Sequence, residues 1–305
     1  MHADEPSIVV VGSLNLDVVM RVERLPHRGE TVLADDHWRN PGGKGANQAA
    51  AAAKLGQSVA MVGRVGRDEA GFELRHSLEG HGVDVSHVTI DDAAPTGVAT
   101  IAVDHDGENS IIVGSGANGR VSPEDVRDAS TLLAAAAVVL IQLEIPLDSV
   151  LAAAQAASGV VILNPAPGRA LPQGLLQEID VLVPNRRELS LLADRSDSSG
   201  EILELVARIP ALGIIVVTMG ADGALVFERG RATLIPPFET NVIDTTGAGD
   251  AFCGALADAL VRGESLPSAG RWAAAAAAVT VSRAGAQPSL PTRDEVESLL
   301  GSSGV

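Results

Sequence analysis

Short apolar runs alternating with helix-like segments constrain this chain most. "SIVVVG", "SVAMVG", "VVLIQLE", "VVILNP", "DVLVPN" and "GIIVVTMG" are of strand length and apolar throughout, rather than at every second position. Strands without alternation have both faces covered, which is the signature of a largely parallel sheet between helical layers. The intervening segments supply the helices. "GGKGANQAAAAAKLG" reads as a glycine loop opening a helix that Gly56 closes. "DEAGFELRHSLEGHG" is a helix with an acidic first turn, and "VSPEDVRDASTLLAAA" begins with Ser122 as N-cap and Pro123 at N1.

Two regions break this rhythm. Residues 16–39 and 96–114 read as β-hairpins without helices, the second carrying the Asp-Gly turn signal in "DHDGE". Together they predict a small antiparallel sheet inserted into the α/β body and suited to act as a lid; ordinary edge strands are the other reading. The body is then 1–15, 40–95 and 115–305, with 16–39 and 96–114 as the lid. Antiparallel lid sheets expose edges and apolar faces, so pairing of two lids into a homodimer is the expected solution.

Charge narrows the ligand. A formal net charge of −17 argues against broad contact with nucleic acid or an anionic membrane. No apolar run reaches the ~18 residues that span a bilayer, and the opening "MHADEPSIVVVG" reads as a first strand rather than a signal peptide. The only cysteine, Cys253, excludes an internal disulfide and points to a cytoplasmic home. A polyanionic ligand would have to be held locally, by backbone amides, a metal ion or a few cations. The only lysines are Lys44 and Lys54, and Lys44 sits in "PGGKGANQ".

The strongest motif is "DTTGAGDAFCGA", where Asp250 directly follows Gly247, Ala248 and Gly249. Small residues entering a helix offer amides and a positive dipole end to an anion. An adjacent carboxylate suits a phosphoryl transfer: the amides stabilise charge on the migrating group, and Asp250 takes the proton of the attacking hydroxyl. A helix-capping aspartate is the plain alternative. In "GGKGANQ", Gly42, Gly43 and Gly45 allow close backbone approach, and Asn47 lies early on the next helix to meet a polyol hydroxyl. Asn15 and Asp17 in "SLNLDV" share one side of a strand and can grip vicinal hydroxyls or form a capping turn. "GSGANG" at 114–119 matches a dinucleotide pattern, but the helix begins later, so it reads as the exit from the lid. The histidines show no metal-ligand spacing. Cys253 reads as a small buried residue more than as a nucleophile.

These residues resemble the ribokinase family, the PfkB-type carbohydrate and nucleoside kinases. The likeness runs in the family's order through "VVVGSLNLD", "NPGGKGANQA", "TGVA", "QLEIP", "NPAPG", "VPNRREL", "TMGADG", "DTTGAGDAF" and "GAQPSLP". "GGKGANQA", "NPAP" and "GAQPS" make it most similar to the members that act on D-ribose. The resemblance implies a three-layer α/β/α body with a β-lid and phosphorylation of the ribose 5-hydroxyl from ATP. It also implies sugar contacts at Asn15, Asp17, Gly43, Lys44, Gly45, Asn47 and Glu144, with Asp250 as base and 247–249 as anion hole. Asn185 and Glu188 match an N-x-x-E motif serving phosphates and Mg2+, while Thr218, Gly220, Gly223 and Gly249 match the nucleotide site. A K+ site is implied at Asp244, Thr246, Thr280, Arg283, Gly285 and Ser289. One departure stands out: Ala273 and Ala274 occupy positions near the adenine pocket where many relatives carry His or Asn, so part of the base recognition is expected to be lost or moved. Gly247, where some relatives have alanine, is a common variant that should not alter the mechanism. Other acceptors (deoxyribose, fructose, a nucleoside) and a catalytically silent sugar-binding protein remain the rival readings.

Overall fold

The structure, a computed structural model, describes residues 5–105, 108–194, 201–209 and 213–302. The Asp106-Gly107 turn signal falls outside the described residues. The strands are β1 (Ile8–Val11), β2 (Asn15–Val22), β3 (Ala34–Gly42), β4 (Val59–Gly66), β5 (Val83–Asp91), β6 (Gly97–Val103), β7 (Asn109–Gly114), β8 (Val138–Gln142), β9 (Val160–Asn164), β10 (Val181–Leu182), β11 (Ile214–Thr218), β12 (Ala224–Glu228) and β13 (Arg231–Ile235).

Nine of them form one sheet in the order β13-β12-β11-β10-β9-β8-β1-β4-β5. Pairing is parallel from β11 through β5 and antiparallel only at β11–β12 and β12–β13. The apolar runs explain the layering, because successive residues of β1 enter different cores. Ile8 and Val10 pack with helices α1 (Lys44–Lys54), α2 (Glu69–Gly80), α9 (Ala248–Val261), α10 (Leu266–Val281) and α11 (Arg293–Ser302). Val9 and Val11 pack on the other face with α3 (Pro123–Asp128), α4 (Ser130–Ala135), α5 (Leu147–Ala156), α6 (Gln173–Leu176), α7 (Arg186–Leu192) and α8 (Ile202–Val206). The result is the expected α/β/α sandwich.

Helix ends follow their local chemistry. Ser122 caps α3 in a capping box with Asp125, and Asp68 caps α2 by accepting from the Gly71 amide. Gly56, at φ +93°, lets the chain leave α1 in a conformation that L side chains avoid.

The small sheet has the order β3-β2-β6-β7. Its two hairpins, β2–β3 and β6–β7, are antiparallel, and they join through parallel pairing of β2 with β6. Both strands of that join leave the body from neighbouring points, β2 after β1 and β6 after β5. The "GSGANG" segment forms a short 3-10 turn over Gly116–Arg120 before α3 begins, so its glycines do not open a helix on a dinucleotide.

The strand order places the site. The chain starts at β1, builds outward to β4 and β5, then returns to β8 on the other side of β1 and builds the opposite way. At such a reversal the loops leaving the two central strands diverge, opening a crevice at their carboxyl ends. Here Ser13 lies between β1 and β2 and Asn15 opens β2, while Gln142 ends β8 and Glu144 follows it.

Candidate active site

Two helices meet this crevice end-on. Helix α1 begins at Lys44 after Gly43, which has φ +90°, and a Cβ there would lie 2.6 Å from the Asn15 amide nitrogen. At Gly45 a Cβ would lie 2.7 Å from the Ser13 nitrogen. Both glycines therefore let the start of α1 press onto the loop after β1. Helix α9 begins after Gly247, which is left-handed at φ +76°, with Ala286 Cα 3.1 Å from where its Cβ would be. Glycine thus fits the local backbone at this position. The first amides of a helix lack i−4 acceptors, so 247–249 sits at the positive end of a 14-residue helix, with the Ala248 amide donating to the Thr245 carbonyl at 3.3 Å in this conformation.

Asp250, 7% exposed, points from α9 toward α1. Asn47 Nδ2 donates to its Oδ2 at 3.0 Å, and Gln48 Nε2 donates to its Oδ1 at 3.0 Å. Across the crevice Glu144 Oε2 accepts from Ser13 Oγ (2.5 Å), the Lys44 amide (3.2 Å) and Asn15 Nδ2 (3.4 Å). Asn15 is held in turn by Asn118, whose Nδ2 donates to Asn15 Oδ1 at 2.8 Å and to the Leu14 carbonyl at 2.9 Å. Asp17 lies on β2 against Gly42, where a Cβ would fall 2.1 Å from its carboxylate. Asn15, Asp17, Gly43, Lys44, Gly45, Asn47, Glu144 and Asp250 are thus one cluster.

Its electrostatics are those of several carboxylates around one ammonium. Burial first, then Glu144 and Asp250, push Asp17 up to about 7, with Lys44 opposing. Burial likewise raises Asp250, against Lys44, Asn47 and Gln48, which favour its charged form. Burial alone would lower Lys44, but Asp250, Glu144 and Glu188 together hold it above its ordinary value. Cys253 is buried, and burial with Asp250 and Glu188 nearby pushes its thiol up, which leaves it protonated and unreactive.

Asn185 and Glu188 form a capping box at α7: Asn185 Oδ1 accepts from the Glu188 amide at 2.9 Å, and Glu188 Oε2 accepts from the Asn185 amide at 2.8 Å. Burial raises Glu188, while the Asn185 amide and Lys44 oppose it. A parallel bridge joins Asn185 to Thr218, setting the turn beside the 3-10 turn Gly220–Asp222. Gly220 (φ +61°) and Gly223 (φ +86°) shape that loop, and Arg186 Nη2 pairs with Asp222 Oδ2 at 2.8 Å.

Asp244 ties the loop before α9 to the segment after α10. Its Oδ1 accepts from the Thr246 amide at 2.9 Å and its Oδ2 from the Gly285 amide at 2.8 Å. Side chains of the remaining predicted cation residues are engaged elsewhere. Thr280 Oγ1 donates to Ala276 O, Ser289 Oγ to Ala286 O, and Arg283 pairs with Glu295. The Thr246 side chain bonds Asp244 itself, so the Asp244 carboxylate and the segment's backbone carbonyls are the donors left for an ion. Ala273 is fully buried in the core between α10 and the sheet. Ala274 is partly buried against the same core.

Sequence reasoning passed over the buried amides behind Asp250. Gln48, Gln142, Asn164 and Gln287 are each at most 8% exposed, and Gln287 Nε2 donates to Asn47 Oδ1 at 3.3 Å while accepting from Ser77. The signal was present: "VVLIQ" and "VVILN" are apolar strands that each end on an amide, at the carboxyl edge where ligands bind.

Comparison with known proteins matches residues 5–293 to the pfkB family carbohydrate kinase. The chain is 38% identical over 300 residues to the ribokinase of Haemophilus influenzae, covering 96% of this chain and 98% of the relative. It is 36% identical over 300 residues to the deoxyribokinase of Salmonella typhi, covering 96% and 98%. The Arabidopsis thaliana ribokinase complexed with ribose and ATP superposes with a TM-score of 0.86 at 38% identity, covering 97% of this chain and 98% of that one.

Proposed function

Because the chain belongs to the pfkB family of carbohydrate kinases, we propose that it transfers the γ-phosphoryl group of ATP to the 5-hydroxyl of D-ribose. The carrying observation is the Asp250 carboxylate, fixed by Asn47 and Gln48 in the same crevice as Asn15, Asp17, Lys44 and Glu144. Asn15, Asp17, Asn47, Glu144 and the 43–45 backbone hold the sugar hydroxyls. Asp250 accepts the proton of the attacking hydroxyl, and the 247–249 amides receive the charge that grows on the migrating phosphoryl oxygens. Thr218, Gly220, Gly223, Asn185 and Gly249 line the nucleotide's path to that point.

Two ions belong to this reading. Among the described residues no cluster of three or more metal-ligating side chains exists, which suits an ion that keeps water and phosphate oxygens as most of its shell. Glu188 and Asn185 would hold Mg2+ there, and it would supply neutralisation of phosphate charge. For K+, the Asp244 carboxylate with the backbone carbonyls of 246, 283, 285 and 289 would be the donor set, together with the Thr280 carbonyl, which already accepts from the Arg283 amide at 3.2 Å and has one further lone pair to give. Its role would be ordering the loop that carries 247–249.

The small sheet, segments 16–39 and 96–114, acts as a lid. Ile111, Ile112 and Val113 on edge strand β7 are 46–72% exposed, Ile112 on one face and Ile111 and Val113 on the other, apolar surface at an open edge that supports pairing of two lids in a homodimer. A cytoplasmic setting accords with the single buried cysteine. No helix among the described residues is long and apolar enough to cross a membrane.

Phosphoryl transfer assayed over ribose, 2-deoxyribose, fructose and adenosine, with product mapping, tests the proposal. Ribose 5-phosphate as the most efficiently formed product is expected. The similarity to a deoxyribokinase favours 2-deoxyribose as the second reading, and a higher kcat/KM for it, or for adenosine, would replace ribose.

A further inference from the structure

Gln48 is fully buried on α1, one residue after Asn47. Its Nε2 lies 3.0 Å from Asp250 Oδ1 and 3.3 Å from Asn164 Oδ1. A glutamine amide has one donating and one accepting end, so a half-turn of the group would set its oxygen against the carboxylate. The surroundings forbid that half-turn from two directions. Asn164 Nδ2 donates to the Val183 carbonyl at 2.9 Å. That carbonyl only accepts, so Asn164 must turn its oxygen toward Gln48. On the other side Gln142 Nε2 donates to Gln48 Oε1 at 2.5 Å.

The polarity leaves one group unmatched. Gln142 Oε1 is buried without a hydrogen-bond partner, against Gly12, where a Cβ would lie 1.9 Å away. Reversing Gln142 would set two acceptors face to face, so the unmatched oxygen follows from the direction of the whole chain. A buried unpaired acceptor is unfavourable and uncommon in folded proteins. Here it stands at the far end from Asp250, and the end at the carboxylate is fully matched.

We infer that Gln48 is a positioning residue for Asp250, and that Gln142 and Asn164 orient the Gln48 amide so that its donor meets the carboxylate. The inference rests on the reading of Asp250 as proton acceptor. Asn47 holds one carboxylate oxygen and Gln48 the other, which stops rotation of the group and leaves free lone pairs for the substrate proton. Losing the Gln48 donor frees that rotation and weakens the preference for the charged form. The other ionisable groups facing Asp250 are Lys44 from α1, Asp17 from β2, Glu144 after β8, Glu188 from α7 and Cys253 from α9 itself. They are common to all the variants compared below except at the substituted position.

The test is steady-state kinetics on D-ribose and ATP across pH for wild type, Gln48→Met, Gln142→Met and Asp250→Asn, with melting temperatures alongside. Methionine keeps the length of glutamine and removes its hydrogen bonds. For Gln48→Met, kcat is expected to fall roughly 10- to 100-fold through misplacement of the acceptor, with ribose KM within about threefold of wild type. The acid limb of kcat should move to higher pH, and Gln142→Met should move it less in the same direction. A part confined to packing lowers the melting temperature and leaves the limb in place. Wild-type kcat and limb in folded Gln48→Met would overturn the inference, as would a rise in ribose KM at unchanged kcat. If Gln48→Met does not fold, an unmoved limb in folded Gln142→Met overturns it. Asp250→Asn separates the two levels: wild-type turnover there removes the proton acceptor and the inference with it, whereas its loss beside a normal Gln48→Met removes only the inference.

Discussion

At the scale of single residues, the crevice concentrates negative charge that water no longer screens well. Asp250→Asn keeps the size of the side chain and removes its basicity. It is expected to lower kcat by about 100- to 10,000-fold, with ribose binding retained in calorimetry; turnover near wild type would contradict the proton-acceptor role. Asp17 makes a prediction about pH. Its folded pKa, pushed up to about 7, stands above the unfolded value of 3.8, so between those values the folded chain binds more protons than the unfolded one. Stability therefore declines as pH rises from 3.8 through about 7. Relative to wild type, Asp17→Asn should gain melting temperature at pH 8 and not at pH 4, without sugar present. Equal differences at both pH values would show that Asp17 is not the responsible group. Of these residues, Asp250, Lys44 and Asn47 were legible because glycine-rich punctuation surrounds them. Gln142 left a trace, as the amide ending an apolar strand, but Gln48 did not: it lies in an alanine-rich helix, and only the folded register brings it to a carboxylate 202 positions away.

At the scale of elements, the apolar runs announced β1, β4, β8, β9, β10 and β11 and hence the parallel body. Strand β5 was not among them, because "VDVSHVTID" mixes polar residues among its valines: Val83, Val85 and Val88 are buried while Asp84, Ser86 and Ile90 are exposed, as suits an edge strand. The β12–β13 hairpin also went unread, although Arg229 (φ +50°) and Gly230 (φ +78°) form the tight turn its sequence offers. Parallel pairing of β2 with β6 was beyond the sequence, since it joins segments far apart in the chain. The element with the clearest functional test is the loop clamp at Asp244. Replacing K+ by Na+ should lower activity several-fold, and Asp244→Ala should abolish the difference between the salts. Equal rates of wild type in both, with K+ contamination excluded, would dismiss the cation reading. Gly43→Ala carries a steric prediction. With φ +90° and a Cβ 2.6 Å from the Asn15 nitrogen, it should cost about 1–3 kcal/mol of stability and raise ribose KM; wild-type values for both would mean α1 has slack against the loop after β1.

At the scale of the whole molecule, the body's two cores are separate, each closed by its own helices, and the small sheet contributes little to either. The exposed apolar strip on β7 is therefore free to serve association. Light scattering should find a dimer, and Ile112→Lys, at a 72% exposed position of this edge strand, should shift it toward monomer without loss of helical signal; an unchanged mass would move the interface elsewhere. On the proposed reading the small sheet also supplies part of the grip on the ligand. Asn15 and Asp17 stand on β2, one of its strands, whereas Lys44, Asn47 and Asp250 belong to helices of the body. A polyol long enough to touch both sets stitches them together, but a lone water molecule spans neither distance and gives the flap no reason to shut. Recognition of the acceptor and protection of the nucleotide from wasteful hydrolysis are, on this arrangement, a single act.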